Sequence, residues 1–307
     1  MPRWFIWSLA ALVSWGVWAL LSKLIGDALS AAQSQALSTL GLLPVIAALS
    51  RTREGFGAFD QRRGMAAAFA AGMLSSLGNV AYYQALNMGV NAATVIPLTA
   101  LYPLVTIALA LAFLKESLNA VQIAGIALSL LAIYLLNVPN AGGILWPWLA
   151  VALIPIALWG AAGFLQKIST HHLSGEASTL WFLLAFVPVA ILILLTQPWP
   201  ASLSARTWLL AGALGLFFSL GNYALLAAFA QQGKASIITP LTALYPIVSV
   251  PAAILFFGEK VGIREWAGIG LALVSVAALS FEKRRALNCK AASSSPPLPA
   301  KHERGED

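Results

Sequence analysis

Long apolar runs separated by short polar breaks dominate the chain. A helix that crosses a membrane needs about 20 mostly apolar residues. Ten such runs are present, at residues 4–24, 32–50, 65–86, 92–114, 119–137, 146–166, 177–195, 207–229, 235–257 and 262–281. The breaks carry charged and turn-forming residues, as between Arg51 and Glu54 and between Asn87 and Asn91. The pattern predicts an all-α integral membrane protein with ten transmembrane helices.

One seven-residue motif, PLTALYP, occurs twice at an offset of 143 residues, from Pro97 to Pro103 and from Pro240 to Pro246. The match continues at the same offset, with Gly78-Asn79 and Gly221-Asn222, Glu116 and Glu259, and Gly125 and Gly268. With one residue of slippage, Trp15-Gly16 and Lys23 match Trp159-Gly160 and Lys167. An internal repeat of this kind predicts two copies of one unit, residues 1–140 and 145–281.

The number of helices in each unit determines how the two units insert. Five is odd, so the second unit must cross the membrane in the opposite sense, which predicts two inverted five-helix repeats. With a cytoplasmic N-terminus, 14 of the 18 Lys and Arg lie on the cytoplasmic side and 4 lie outside. That asymmetry predicts cytoplasmic N- and C-termini in the cell (inner) membrane. Residues 282–307, rich in Lys, Arg, Ser and Pro, are predicted to be a disordered cytoplasmic tail.

The composition excludes several classes of protein. The chain is 60% hydrophobic and 9% charged, with a mean hydropathy of +0.82, whereas a soluble domain carries about 25% charged residues. The net charge of +7 does not indicate nucleic-acid binding, because the basic residues lie in short loops and the tail. Cys289 stands alone, and His171-His172 lacks the further ligands that a metal site needs. We therefore predict no metal and no cofactor, with the lipid bilayer and a small-molecule substrate as partners; the oligomeric state stays open.

Each copy of the PLTALYP motif places two prolines inside a long apolar segment. Proline removes a backbone hydrogen bond and disturbs the preceding turn, and matching interrupted segments in two halves point to a binding region. The predicted hinges are Pro97, Pro103, Pro240 and Pro246. On the same helices, Thr99, Tyr102 and Thr106 share one face, and the repeat gives Thr242, Tyr245 and Ser249. These faces either line a shared cavity, or the hydroxyls bond their own helix while the tyrosines pack between helices.

Other polar and aromatic residues lie deep in the predicted spans. Asn79 and Asn222 either line the pathway or fix helix packing, and Tyr83 follows Asn79 by one turn. Deep tryptophans, Trp15 and Trp18 on the first span and Trp159 with Gln166 on the sixth, either wall a cavity or fill the bundle. The candidate substrate-binding residues are Trp15, Trp18, Asn79, Tyr83, Thr99, Tyr102, Thr106, Trp159, Asn222, Thr242, Tyr245 and Ser249.

The charged residues at span ends are predicted to have structural roles. Lys23 and Lys167 are expected to extend towards the membrane surface. Glu116 and Glu259 each have an adjacent lysine, so a solvated ion pair is predicted rather than a gate. No acidic residue lies clearly within any span, which disfavours a buried proton-binding carboxylate.

Four features together resemble one known family. They are the Trp-Gly pairs of the first and sixth spans, the two Pro-x-x-x-x-x-Pro segments, the trailing Leu114-Lys115-Glu116 and Phe257-Gly258-Glu259, and the Gly-rich fifth and tenth spans. Over residues 4–281 the chain resembles the drug/metabolite transporter superfamily, of the EamA type. The resemblance implies ten helices in two inverted five-helix repeats and a central cavity lined mainly by helices 1, 3, 4, 6, 8 and 9.

The resemblance also implies a function. Members of the family move small metabolites such as amino acids and sugars, often outward, so we expect a secondary transporter that exports a small polar metabolite by alternating access. The small multidrug exporters of the superfamily use a glutamate in the first span; here only Asp27 lies beyond its end, so their mechanism does not carry over. No reactive groups gather at one depth, which argues against an enzyme. A membrane scaffold or regulator without transport, or a lipid-handling membrane protein, remains the alternative.

Overall fold

The computed structural model describes residues 3–26, 28–51, 61–114, 118–137, 147–231, 235–279 and 281. These residues form fourteen α-helices and one 3-10 helix, η1. In chain order they are α1 (Arg3–Gly26), α2 (Ala31–Ser38), η1 (Thr39–Leu42), α3 (Leu43–Leu49), α4 (Gln61–Asn87), α5 (Ala92–Thr99), α6 (Pro103–Leu114), α7 (Ala120–Asn137), α8 (Pro147–Ser169), α9 (Gly175–Leu184), α10 (Phe186–Thr196), α11 (Ala205–Ala230), α12 (Ala235–Thr242), α13 (Pro246–Phe257) and α14 (Ile263–Leu279).

Eight segments of the described residues are long and apolar enough to cross a membrane. Four of them are the single helices α1, α4, α8 and α11. The other four are built from consecutive shorter helices and cover Ala31–Leu49, Ala92–Phe113, Gly175–Thr196 and Ile237–Phe257. Helices α7 and α14 lie outside these eight and pack against each other. Residues 138–146 between the two predicted units, the predicted tail at 282–307, which contains Cys289, and Glu116 lie outside the described residues.

Both copies of the PLTALYP motif interrupt the helix at the same position, between the threonine and the second proline. Helix α5 ends at Thr99 and α6 begins at Pro103. Proline has no N–H to give to the carbonyl four residues earlier, so the Thr99 carbonyl instead accepts from the backbone N–H of Tyr102 at 3.2 Å. The repeat-related Tyr245 N–H donates to the Thr242 carbonyl at 3.3 Å. Each break is a tight turn of 3-10 type that places a tyrosine between two short helices.

Glycine lets the long helices of the two halves approach closely. Helix α4 packs on α8, and the repeat-related α11 packs on α1. A side chain at Gly78 would collide with the indole of Trp159, and one at Gly221 would collide with the indole of Trp15. Each tryptophan therefore packs directly against the backbone of a glycine in the opposite half.

The Trp-Gly pairs also contact the helix breaks. A side chain at Gly160 would meet Val105 and the carbonyl oxygen of Tyr102, and one at Gly16 would meet Val248 and the carbonyl oxygen of Tyr245. Helix α8 of the second half thus packs on the break of the first half, and α1 packs on the break of the second. The two halves are held together by repeat-related contacts.

The third interface joins α7 and α14. The Ser129 and Ser275 hydroxyls contact each other, and their oxygens lie 2.9 and 3.0 Å from the Gly125 carbonyl. Each hydroxyl has one proton, so when one hydroxyl donates to the other, the second donates to this carbonyl. The Gln122 side chain donates to the carbonyl of Leu279 at 3.1 Å. Gly125 permits this approach, since a side chain there would crowd the carbonyl of Ser275.

The sequence predicted that both repeat-related lysines, Lys23 and Lys167, extend towards the membrane surface. In the structure they do not both do so. Lys23 donates to the carbonyl of Leu86 at 3.3 Å, while Lys167 is buried with its ammonium 5.8 Å from the ring centre of Phe229. Leu86 and Phe229 lie in the last turns of α4 and α11, where helix dipoles favour a cation. Burial and then the Lys167 charge lower the pKa of His171, in the turn after α8.

We predict that Gly160→Ala destabilises the protein by about 1–3 kcal/mol, because the added methyl group must displace Val105 or the Tyr102 backbone. Gly212→Ala, the same change on α11, is the matched control. A side chain at Gly212 meets nothing within 4 Å, so the higher helix propensity of alanine should stabilise by up to about 1 kcal/mol. Thermal unfolding of the detergent-purified variants tests the difference in sign. Equal effects would show that the close contact at Gly160 is not required.

Candidate functional site

A small central cavity of about 40 Å³ lies where the two halves meet. Both helix breaks contribute to it, together with α1, α4, α8, α11 and α12. The lining residues are Trp15, Trp18, Ser75, Tyr102, Trp159, Gly163, Gln166, Phe218, Asn222, Leu225, Thr239 and Tyr245. The cavity is therefore shared between the halves rather than enclosed by one of them.

Aromatic residues make up half of the twelve lining residues of the cavity. Trp15 meets Tyr245 edge-to-face with ring centres 6.4 Å apart, and the repeat-related pair of Trp159 and Tyr102 has the same geometry at 6.1 Å. Trp18 lies between the halves, 5.7 Å from Trp159. Edge-to-face contacts of this kind are favourable beyond simple burial. They fix the orientation of the rings around the cavity.

The polar contacts around the cavity do not follow the repeat. The Trp159 indole N–H donates to the Asn79 side-chain oxygen at 3.1 Å. The matching oxygen of Asn222 instead accepts from the Gln166 amide at 3.1 Å. Trp15 therefore has no equivalent partner, and its indole N–H is buried without a hydrogen bond among the residues that the structure describes.

Four lining residues carry a buried polar atom that has no hydrogen-bond partner within the described part of the chain. They are Trp15 (Nε1), Tyr102 (hydroxyl), Thr239 (Oγ1) and Tyr245 (hydroxyl). An unsatisfied buried polar group costs about 1–3 kcal/mol, so a ligand that hydrogen-bonds to these atoms would gain from each of them. None of the lining residues is ionised at neutral pH. The described residues also contain no group of three or more His, Cys, Asp or Glu that could hold a metal ion.

The structure brings half of the twelve candidate binding residues to the cavity. Those that line it are Trp15, Trp18, Tyr102, Trp159, Asn222 and Tyr245. Those that do not are Asn79, Tyr83, Thr99, Thr106, Thr242 and Ser249.

Three of these six outer residues bond to their own helix. Thr99 donates to the carbonyl of Val95, and Thr242 donates to the carbonyl of Thr239, both at 3.0 Å. Ser249 donates to the carbonyl of Tyr245 at 3.4 Å. Their hydroxyls thus satisfy helix carbonyls near the breaks.

The other three connect the lining residues to neighbouring helices. Thr106 donates to the Gly160 carbonyl at 2.8 Å. The Tyr83 hydroxyl accepts from the indole N–H of Trp18 at 3.3 Å, much as Asn79 accepts from Trp159. These contacts hold the aromatic rings in place without facing the cavity.

Six lining residues were not among the sequence candidates, namely Ser75, Gly163, Gln166, Phe218, Leu225 and Thr239. For several of these residues, the spacing in the sequence indicates a helix face shared with a candidate residue. Ser75 and Phe218 each precede a candidate asparagine by four residues, while Gly163 and Gln166 follow Trp159 by four and seven. Residues at these spacings lie on one side of a helix, so extending each candidate along its own face would have found them.

Glu259 does not form the solvated ion pair with Lys260 that the sequence predicted. Its two carboxylate oxygens accept from the backbone N–H groups of Ala92 and Ala93, each at 2.8 Å. The neighbouring Asn91 amide donates to the Lys260 carbonyl at 3.0 Å. The free N–H groups at a helix start attract a carboxylate more strongly than a mobile lysine does. The end of α13 is therefore fastened to the start of α5 in the other half.

A helical membrane protein with a cavity shared by its two halves is the architecture of a carrier. The match to a family model establishes that class: the chain belongs to the EamA-like transporter family, whose model matches residues 2–138 and 146–281. The chain is thus a multi-pass membrane protein of the drug/metabolite transporter superfamily, and the family is one of transporters rather than enzymes.

Individual relatives are more distant. An uncharacterized protein of Methanocaldococcus jannaschii is 38% identical over 73 residues, which are 24% of this chain and 53% of the relative. The chain thus spans about half the length of that relative. An "Uncharacterized transporter in cobO 3′ region" of a Sinorhizobium species is 26% identical over 135 residues, which are 43% of this chain and 94% of the relative.

A solved crystal structure of another protein superimposes on this chain with a TM-score of 0.61 and a sequence identity of 20%. The alignment covers 89% of this chain and 94% of the other. At this identity the likeness shows the fold alone.

We predict that Glu259→Gln destabilises the protein more than Glu265→Gln does. Glu259 uses both oxygens on α5, and glutamine would replace one of these acceptors by a donor. Glu265 uses a single oxygen, on the N–H of Gly262 in its own segment at 2.7 Å, which glutamine can retain. The expected cost at Glu259 is about 1–2 kcal/mol, the range for losing a helix cap, against a few tenths at Glu265. Thermal unfolding of the two purified variants decides; equal shifts would contradict the role of Glu259.

Proposed function

We propose that the protein is a secondary transporter that moves a small polar metabolite across the cytoplasmic (inner) membrane by alternating access. The observation that carries the proposal is the central cavity, because both halves line it and four of its residues hold unpaired buried polar atoms. Groups of this kind are costly to leave unpaired in a membrane, so they mark a place where a polar solute gains hydrogen bonds.

We further propose ten transmembrane helices in two inverted five-helix repeats, with both termini cytoplasmic. The main helix contacts support this arrangement, since they have counterparts under exchange of the halves. The pair of α1 and α11 corresponds to the pair of α8 and α4, and α1 on α13 corresponds to α8 on α6. Helices α7 and α14 pair with each other and would be the fifth and tenth spans. The excess of Lys and Arg on one side supports the orientation.

The small size of the cavity supports a mechanism with more than one conformation. A volume of about 40 Å³ accommodates only about three water molecules at 10–15 Å³ each. A metabolite of amino-acid or sugar size requires the lining elements to move apart. The breaks ending at Tyr102 and Tyr245 separate short helices, and the adjoining prolines, Pro103 and Pro246, would let those helices tilt. Because the halves are equivalent, exchange of their conformations would open the cavity to alternate sides.

The chemistry of the lining supports a neutral or zwitterionic substrate with hydrogen-bond acceptors. The Trp15 N–H is a donor only, and the tyrosine hydroxyls donate readily. No lining residue carries a charge at neutral pH, so a bare ion would lose its hydration without a counter-charge. Ring faces such as that of Trp18 suit an apolar group or the ammonium of a zwitterion. We propose an amino acid, a sugar or a related solute, with export as the direction.

We predict that Tyr102→Phe and Tyr245→Phe each weaken substrate binding roughly 3- to 10-fold, because each removes one hydroxyl, worth about 0.5–1.5 kcal/mol. The substrate class is found first by screening amino acids, sugars, amines, nucleosides and organic acids for a rise in the melting temperature of the purified protein. Thr179→Val is the matched control, since the buried Thr179 hydroxyl bonds the Gly175 carbonyl of its own helix α9 at 2.6 Å and lies outside the cavity lining, so its loss should leave binding unchanged.

The decisive measurement is the flux, into proteoliposomes, of the solute identified in that screen. The double variant Tyr102→Ala, Tyr245→Ala should insert normally but lose transport. Wild-type flux in that variant would show that the cavity is not the binding site. A protein that shows no ligand effect and no flux with any class of solute would instead fit the scaffold interpretation.

A further inference from the structure

Two grooves on the outer surface of the helix bundle are related by the internal repeat. The first, of about 770 Å³, runs along α4 beside α9 and is lined by Arg62, Met65, Phe69, Met73, Leu74 and Trp181, with small residues between them. The second, of about 300 Å³, runs along α11 beside α2 and η1 and includes Leu37, Trp208, Gly212 and Leu216. Met65, Phe69 and Met73 correspond to Trp208, Gly212 and Leu216 at the offset of 143 residues.

The repeat-related grooves differ in charge. The groove on α4 begins at Arg62, which lines it directly. The corresponding position on α11 is Ala205, and the second groove is lined by no charged residue. One groove is therefore cationic at one end and apolar along the rest, while the other is apolar throughout.

The dimensions of the α4 groove match one membrane leaflet. From Arg62 to Leu74 there are twelve residues, which span about 18 Å at 1.5 Å per residue. Half of the hydrocarbon core is about 15 Å thick. The groove therefore has a length suited to an acyl chain, with Arg62 near the level of the headgroups.

Further basic residues stand at the same end. Arg51 follows α3, while Arg62 and Arg63 open α4, and all three are exposed. Glu176 lies in the first turn of the adjoining α9 but is not among the residues that line the groove. Over residues 51–63 the sequence has four arginines against two acidic residues, Glu54 and Asp60, so the charge at this end favours an anion.

We propose that the α4 groove binds an acyl chain of an anionic phospholipid whose phosphate pairs with Arg62. The ligand must combine a single anionic head with an apolar tail, and an anionic lipid has that form. A second copy of the chain fits less well, because the exposed apolar helices α7, α10 and α13 contain no Asp or Glu to meet Arg62. This lipid site is separate from the central cavity and does not depend on what the cavity carries.

The test titrates the delipidated full-length protein, in a neutral detergent, with phosphatidylglycerol or with phosphatidylcholine of the same acyl chains. The melting temperature of the wild type should rise more with the anionic lipid, since a ligand that binds the folded state stabilises it. Arg62→Ala should weaken the apparent affinity for the anionic lipid about fivefold, the usual effect of one basic residue at an anionic surface. Arg62→Lys should retain most of that affinity.

Two further variants distinguish the groove from general attraction to the surface. Arg206→Ala removes an exposed arginine at the start of α11, beside the second groove, and should leave the lipid effect unchanged. Ala70→Trp fills the α4 groove without altering charge and should abolish the preference for the anionic lipid. Equal effects of Arg206→Ala and Arg62→Ala, or an unchanged preference in Ala70→Trp, would overturn the proposal. A dimer that dissociates in Ala70→Trp, measured by light scattering, would also overturn it and assign the groove to a second copy.

Discussion

The close approach of two glycines to two helix breaks is the constraint on which the rest of the structure depends. At Gly160 and Gly16 the backbone lies against the carbonyls of Tyr102 and Tyr245. Any side chain at these glycines would push the helix away from the break. Because a tryptophan precedes each glycine, the same contact brings an indole edge-to-face with the tyrosine of the break. The position of the cavity, between the halves and at the breaks, follows from this geometry.

The binding region itself is asymmetric, although the scaffold repeats. Gln166 occupies the position that corresponds to Ser22 in the first half. The Ser22 hydroxyl donates to its own helix, at the Trp18 carbonyl, whereas the longer Gln166 side chain crosses to Asn222 and takes its oxygen. The Trp15 indole N–H, in contrast to that of Trp159, has no hydrogen-bond partner among the described residues. A scaffold built from two repeated units can therefore present an asymmetric set of donors.

The sequence predicted the internal repeat, the helical membrane fold and the proline interruptions, because these depend on local composition and periodicity. It was less successful where the argument assumed a continuous helix. Thr99, Tyr102 and Thr106 share a face only at 3.6 residues per turn, and the tight turn at the break removes that alignment, so only Tyr102 reaches the cavity. The contact of Glu259 with Ala92 joins residues 167 positions apart, a distance over which no local pattern carries information.

The fastening at Glu259 and the cavity are mechanically connected through one short rigid element. Helix α5 has eight residues, about 12 Å of helix, and it begins at the N–H groups held by Glu259 and ends beside the break that carries Tyr102. A helix of this length moves as a unit, so a tilt of α5 about the break would also move its start relative to Glu259. Separation of α5 from α13 would break two hydrogen bonds to a carboxylate, each worth about 1.5–3 kcal/mol when an ionised group is involved. In the alternating-access cycle proposed above, opening at that end of the protein would therefore accompany enlargement of the cavity.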